Sequence, residues 1–220
     1  MTPVCDRADR PRGNGPRAVV FDCDGVLFDS AAANLAYYDT VLAALGQAPL
    51  DAALARQAHT MAAPQLFAVL FADEPALVEQ ARAVTRQIDY GPFYQLMQPV
   101  PDLFDLLGRL KTTYRMAMAT NRGTSTQGVV RHFGLDRFFE LAVGMLDVPR
   151  PKPFPDMLEK CLVHFGLPAD AAVYVGDAPS DYEAASAAGM RFIGVGDHCG
   201  APQRIGDLRE LPAALGAAAG

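Results

Sequence analysis

The stretch VFDCDGVLFDS, residues 20–30, places two carboxylates on alternate positions, Asp22 and Asp24, at the end of an apolar run and follows them with a glycine. On a strand, alternate side chains point the same way, so a regular strand would put both acids on one side and turn Cys23 against the core. Carboxylates that close repel, and need a cation, a proton or a turn between them. Gly25 supplies a turn, and a hard divalent cation such as Mg2+ suits ligands that are all oxygen and brings phosphate with it. The same residue types recur along the chain. YVGDAPSD, residues 174–181, offers Asp177 at the end of an apolar run and Asp181 at the start of a helical pattern. Thr120 closes a further run, and Lys152 lies in RPKPFPD between prolines that stiffen its loop. Nucleophile, proton carrier, hydroxyl, ammonium and metal-binding acids would meet at one edge if those runs are neighbouring strands.

The intervening pattern predicts that they are. Residues 17–22, 115–120, 141–145, 171–177 and 192–196 are short apolar runs, several rich in valine, ending in Gly, Asp or Thr. Helical stripes lie between them: Leu103, Leu106, Leu107 and Leu110 share a face, as do Leu158, Cys161, Leu162 and Phe165 ahead of Gly166. Thr124 or Ser125 can cap a helix reaching about Gly134, and residues 181–189 read as an alanine-rich helix closed by glycine. Strands alternating with helices predict an α/β fold with a doubly wound, mainly parallel, Rossmann-like sheet that binds ligands beyond the carboxyl ends of its strands. One interval breaks the alternation. Residues 31–98 are helical throughout, with stripes at Leu35, Tyr38, Leu42, Leu45 and at Leu77, Ala81, Val84, Ile88, which predicts a small helical domain inserted after the first strand. The expected organisation is a leader over residues 1–16, a core over 17–30 and 99–215, and the insert over 31–98, with hinges where the chain crosses near Ser30 and Gln98. Asp29 and Ser30 read as a turn and a helix cap.

Composition limits the partners. A net charge of -6 and a pI near 5.1 leave no basic stripe for nucleic acid or anionic lipid. The 4 cysteines are far apart, without CxxC or zinc spacing, which fits a reducing compartment. The loop pair His198 and Cys199 lacks companions for a metal. This composition suits small neutral or metal-escorted ligands and a cytoplasmic monomer or homodimer.

These residues resemble the haloacid dehalogenase-like superfamily, in particular its phosphatases with a small helical cap. Its four motifs occur in order: DCDGVLFDS from Asp22, ATN ending at Asn121, RPKP around Lys152, and GDAPSD up to Asp181. The resemblance implies that Asp22 is the nucleophile and Asp24 the general acid/base, that Thr120 and Lys152 hold phosphate, and that Asp177 binds Mg2+. Asp181 would support the metal shell directly or through water. Asp22 and Asp24 join these as implied metal ligands, and Gly25 and Asn121 as implied substrate-binding positions. The partner that the resemblance implies is a small phosphorylated metabolite. Phosphoryl transfer would pass through an aspartyl phosphate, with Asp24 entering protonated and therefore with a raised pKa.

Substrate choice then belongs to the insert, the family's cap. It carries 6 acidic residues against 3 basic ones, net -3, and so offers no obvious clamp for a second phosphate. The segment AHTMAAPQ, residues 58–65, resembles the family's substrate-selecting loop, which makes His59, Thr60 and Gln65 candidates. Sugar phosphomutases of the group carry a His where Asn34 stands here; true dehalogenases lack the counterpart of Asp24; phosphonate hydrolases use a cap lysine, and this cap has none. Phosphoglycolate phosphatases look most similar. A mutase, or a binding protein that kept the pocket without turnover, stands as the alternative.

Overall fold

A run of four residues buried on both faces has to lie inside a sheet, and AVVF does: all of β1 (Ala18–Phe21) is buried. The computed structural model describes residues 15–58, 61, 63–197 and 199–216. All but Gly15 and Pro16 of the expected leader falls outside them. After β1 come β2 (Phe28–Asp29), α1 (Ala31–Ala44), α2 (Ala52–Ala58), α3 (Ala63–Leu70), α4 (Pro75–Thr85) and β3 (Gln98–Pro99). The chain then alternates: α5 (Leu103–Lys111), β4 (Arg115–Thr120), α6 (Thr126–His132), β5 (Leu141–Gly144), α7 (Asp156–Phe165), β6 (Ala172–Gly176), α8 (Pro179–Ala188), β7 (Arg191–Val195), β8 (Arg204–Ile205) and α9 (Leu211–Gly216).

The main sheet has the order β5-β4-β1-β6-β7-β8, and each pairing is parallel. The strand order reverses direction at β1, which makes its carboxyl end the crevice where such sheets take ligands. Register sharpens this placement. Phe21 faces Met118 on one side and Val175 on the other, so Thr120 at the end of β4 and Asp22 and Asp177 just past β1 and β6 lie at neighbouring strand ends.

The two faces of the sheet carry separate apolar layers. Val19, Phe21 and Cys23 pack with Leu103, Leu106 and Leu107 of α5 and with Leu211 of α9, while Ala18 and Val20 pack with Leu158 and Cys161 of α7 and Ala184 of α8. A third cluster joins Tyr38, Val41 and Leu42 of α1 to Leu66 and Phe67 of α3 and Ala81 of α4. This is the inserted helical segment with an apolar centre of its own. Two features escaped the sequence pattern: β8, and the antiparallel pairing of β2 with β3, Phe28 opposite Pro99 and Asp29 opposite Gln98, where the chain leaves and re-enters the core. Two-residue strands are too short to show a period.

Candidate active site

Strand ends set the first group of side chains. Asp22 follows β1 directly and its N–H donates to Val175 O at 2.9 Å, which fixes the carboxylate at the centre of the crevice. Lys152 arrives from the proline-rich loop, whose Lys152–Pro153 bond is cis. Asn121 holds that loop from both sides: its amide donates to Lys152 O and accepts from Lys152 N, each at 3.1 Å. The Lys152 ammonium donates to Asp181 Oδ1 at 2.6 Å, Tyr174 Oη at 2.9 Å and Ala119 O at 3.3 Å. It also lies 2.9 Å from Asp22 Oδ1, yet no hydrogen bond reaches that buried oxygen among the described residues. At that distance the ammonium's charge acts directly on the Asp22 carboxylate.

Asp181 is fully buried and shared. Its Oδ1 meets Lys152 and Tyr174, and its Oδ2 accepts from the backbone N–H groups of Asp177 and Ala178 at 3.1 and 3.0 Å. The first turn of α8 is thereby tied to the end of β6. Thr120, also buried, accepts from the Arg122 N–H at 3.2 Å, which leaves its hydroxyl proton for a ligand.

Asp22, Asp177 and Asp181 each offer an oxygen within 4.8 Å of the others. Burial pushes the Asp22 carboxyl up to about 7; Lys152 opposes that rise, and Asp181 and Asp24 add to it. Burial, then Asp22 and Asp181, push Asp177 up to about 8. Three acids around one ammonium leave excess negative charge. An all-oxygen donor set, an unsatisfied Asp22 Oδ1 and carboxyls that resist ionising fit a hard dication such as Mg2+. Gly25 makes room for the trio: its φ is +77°, and a Cβ there would collide with the Asp177 carboxylate.

Asp24 differs from expectation. Its carboxylate turns away from the trio to Arg122, with Nε on Oδ2 at 2.8 Å and Nη2 on Oδ1 at 2.5 Å, and Ser30 Oγ donates to Oδ1 as well. Burial raises the pKa, but the Arg122 guanidinium and these donors outweigh it and hold the group below the ordinary carboxylate value. The raised pKa expected of Asp24 is thus corrected, because sequence spacing gave no sign of its cation. Ser30 stands at the N-cap position of α1 without making a cap bond, its hydroxyl being spent on Asp24. Asp29 does form the expected turn, accepting from Ala31 N at 3.1 Å.

Residues 19–195 match the haloacid dehalogenase-like hydrolase family. The chain belongs to that family. It is 32% identical to a phosphoglycolate phosphatase of Pseudomonas fluorescens, with 94% of this chain and 83% of the relative covered. A haloacid dehalogenase superfamily hydrolase of subfamily IA from Geobacter sulfurreducens superposes with a TM-score of 0.75 at 35% identity, covering 92% of this chain and 98% of that one. CbbY of Rhodobacter sphaeroides, solved with xylulose 1,5-bisphosphate, shares the fold at 22% identity with a TM-score of 0.75 over 89% of this chain and 96% of that one.

The hydrolase's reactive edge opens into a cavity of about 650 Å3. Asp22, Asp24, Thr120, Asn121, Lys152, Asp177 and Asp181 line its floor. The inserted segment supplies the opposite wall with Tyr37, Tyr38, Met61, Pro64, Ile88 and Tyr90, together with Arg82 and Arg86. Net charge misled here: the segment is acidic overall, yet two of its three arginines line the cavity. His59 and Thr60 lie outside the described residues, as does His198, and Gln65 is exposed on α3 outside the cavity lining. Cys199 is buried.

Sequence reasoning missed Arg122, Tyr90 and Tyr174. Arg122 is buried, and its guanidinium carbon sits 5.0 Å from the centre of the Tyr90 ring. Tyr90 in turn donates to Asn34 Oδ1 at 3.2 Å. The signal for Arg122 was its place next to ATN; Tyr174 sat unnoticed inside a strand that read as purely apolar.

Proposed function

We propose that the chain is a Mg2+-dependent phosphatase that hydrolyses a small phosphomonoester, of phosphoglycolate type, through an aspartyl phosphate on Asp22. The observation that carries this reading is the Asp22 carboxylate, buried at the end of β1 beside Lys152 and within reach of two further acids. The division into a core over 17–30 and 99–215 and a cap over 31–98 belongs to the same proposal, as does a cytoplasmic enzyme without nucleic-acid or membrane partners. No helix among the described residues is long and apolar enough to cross a membrane.

Asp22, Asp177 and Asp181 would hold the metal, which when bound supplies positive charge to the phosphoryl oxygens and to the acids around them. Asp22 attacks phosphorus in line; the P–O bond to the leaving group breaks as the carboxylate–phosphorus bond forms. Asp24, which Arg122 holds ionised, first takes a proton from solvent and gives it to the departing oxygen, then takes one from the water that attacks the aspartyl phosphate and returns it to solvent, releasing phosphate and restoring Asp22. Its charged state beside Arg122 suits the second step. Lys152 and the Thr120 hydroxyl neutralise the oxygens that would otherwise repel the nucleophile.

The test is phosphate release from a panel of small phosphomonoesters with Mg2+ or EDTA, alongside Asp22→Asn. Turnover that needs the metal and falls at least about a thousandfold in the variant is expected. A variant turning over near the wild-type rate removes Asp22 as the nucleophile.

A further inference from the structure

Arg122 is a buried cation that the phosphate chemistry above does not use. It lines the reactive cavity, and its position is over-determined: Asp24 grips one edge, the Tyr90 ring lies against a face, and its own N–H is bonded to Thr120. A guanidinium has five N–H donors. Two are spent on Asp24, through Nε and Nη2. A third, on Nη1, donates to Ser125 Oγ at 3.4 Å, itself part of the cavity lining, and one donor on each of Nη1 and Nη2 remains. The Nη1–Nη2 edge therefore retains donors in the geometry that takes a carboxylate bidentately.

Position decides what such an edge would read. In the mechanism proposed above, Asp24 sits against the leaving oxygen, and Arg122 is bonded to Asp24. An anion one carbon beyond the ester oxygen is the group that would reach the guanidinium while phosphorus stays at Asp22. Cavities of about 300–1,000 Å3 take ligands of drug size. The phosphate ester of a two-carbon acid fills only part of 650 Å3. The remaining wall joins the apolar and aromatic Tyr37, Met61, Pro64 and Ile88 to Arg82 and Arg86.

We propose that Arg122 reads a carboxylate on the leaving group, so that the preferred substrates are phosphate esters of 2-hydroxy acids, including acids bulkier than glycolate. The inference rests on the phosphatase reading and deepens it from reaction to substrate class. Arg122 is a specificity residue here, with Tyr90 and Asp24 as the groups that aim it. A site built around a charged donor pair discriminates strongly against an analogue that lacks the partner, because the donors are left unpaired.

The experiment compares size-matched pairs that differ in charge: phosphoglycolate with 2-hydroxyethyl phosphate, and phospholactate with its alcohol analogue. Turnover in Mg2+ is measured for wild type, Arg122→Met and Arg122→Lys. Affinities of the same ligands are measured by calorimetry on Asp22→Asn and on Asp22→Asn with Arg122→Met, so that binding is read without turnover. The wild type should favour each acid over its alcohol by at least about a hundredfold in kcat/KM. Phospholactate should be used as well as phosphoglycolate. Arg122→Met should cut the preference below about tenfold in both turnover and affinity, with Arg122→Lys between, since it keeps charge and loses the fork. A preference unchanged in Arg122→Met overturns the inference, as does a parallel fall on acid and alcohol, which would make Arg122 only a support for Asp24. Phospholactate rejected while phosphoglycolate is accepted overturns the claim about bulk. Acid-selective binding lost with Arg122 but without turnover of any pair would uphold the recognition role and sink the phosphatase reading instead.

Discussion

Two buried cations face the same cavity in unlike surroundings. Lys152 is enclosed by Asp22, Asp181, Tyr174 and a backbone carbonyl, all belonging to the edge of the sheet or to the first turn of α8, and its own loop is clamped by Asn121. Arg122 is paired with a carboxylate that is 25% exposed and leans on Tyr90, whose hydroxyl is held by Asn34 of α1. One cation is fixed by strand ends; the other is shared with the inserted helices. On the proposed reading, the cation that meets phosphate is locked by the core, whereas the one that reads the leaving group also touches the inserted helices.

Removing each cation should break the symmetry of that picture most visibly. Lys152→Met leaves Asp22 and Asp181 buried without their ammonium, a change expected to cost about 3–5 kcal/mol. Denaturant unfolding should show it at pH 8, and Arg122→Met should lose clearly less, since Asp24 can reach water. Equal losses would mean that both cations are structural in the same sense.

The next effect concerns acidity. Asp22 and Asp177 bind protons more tightly folded, at about 7 and about 8, than at their ordinary value of 3.8. Between those limits the native state holds more protons than the unfolded one, so stability falls as pH rises. Metal-free protein should therefore melt at progressively lower temperature from about pH 5 to pH 9, and Mg2+ should restore most at the alkaline end, where it no longer competes with protons. A flat melting profile without metal would contradict the crowding of carboxylates at the lysine side.

Tyr174→Phe is the mildest probe. It deletes one buried hydroxyl between Lys152 and Asp181, for which about 1 kcal/mol and less than tenfold in kcat/KM are expected. A larger loss in kcat at unchanged stability would show that the hydroxyl aims the ammonium.

Much of the lysine side was legible because its residues close apolar runs: Asp22, Thr120 and Asp177 mark strand ends, and a parallel sheet must gather them. The helical insert was visible in its stripes. The arginine side was not legible, for physical reasons. Which way Asp24 turns depends on a cation 98 residues away in sequence, and no periodicity encodes a pair at that separation. Counting charges over the insert averaged Arg82 and Arg86 with acids elsewhere on it, whereas a cavity sees only the side chains that line it. Tyr174 was hidden because a strand's composition does not tell which of its side chains ends beside a lysine.

The two-residue pairing of β2 with β3 has a last implication. It brings the exit and return of the helical insert side by side, at the spacing of neighbouring strands, about 4.8 Å. To the sheet, everything between Asp29 and Gln98 is therefore equivalent to the loop of a hairpin. A different lid, or a short turn, can be spliced at that doorway without stretching the strands that carry the reactive carboxylates. The helical insert is thus attached at a single doorway, apart from the strand ends that gather Asp22, Thr120 and Asp177.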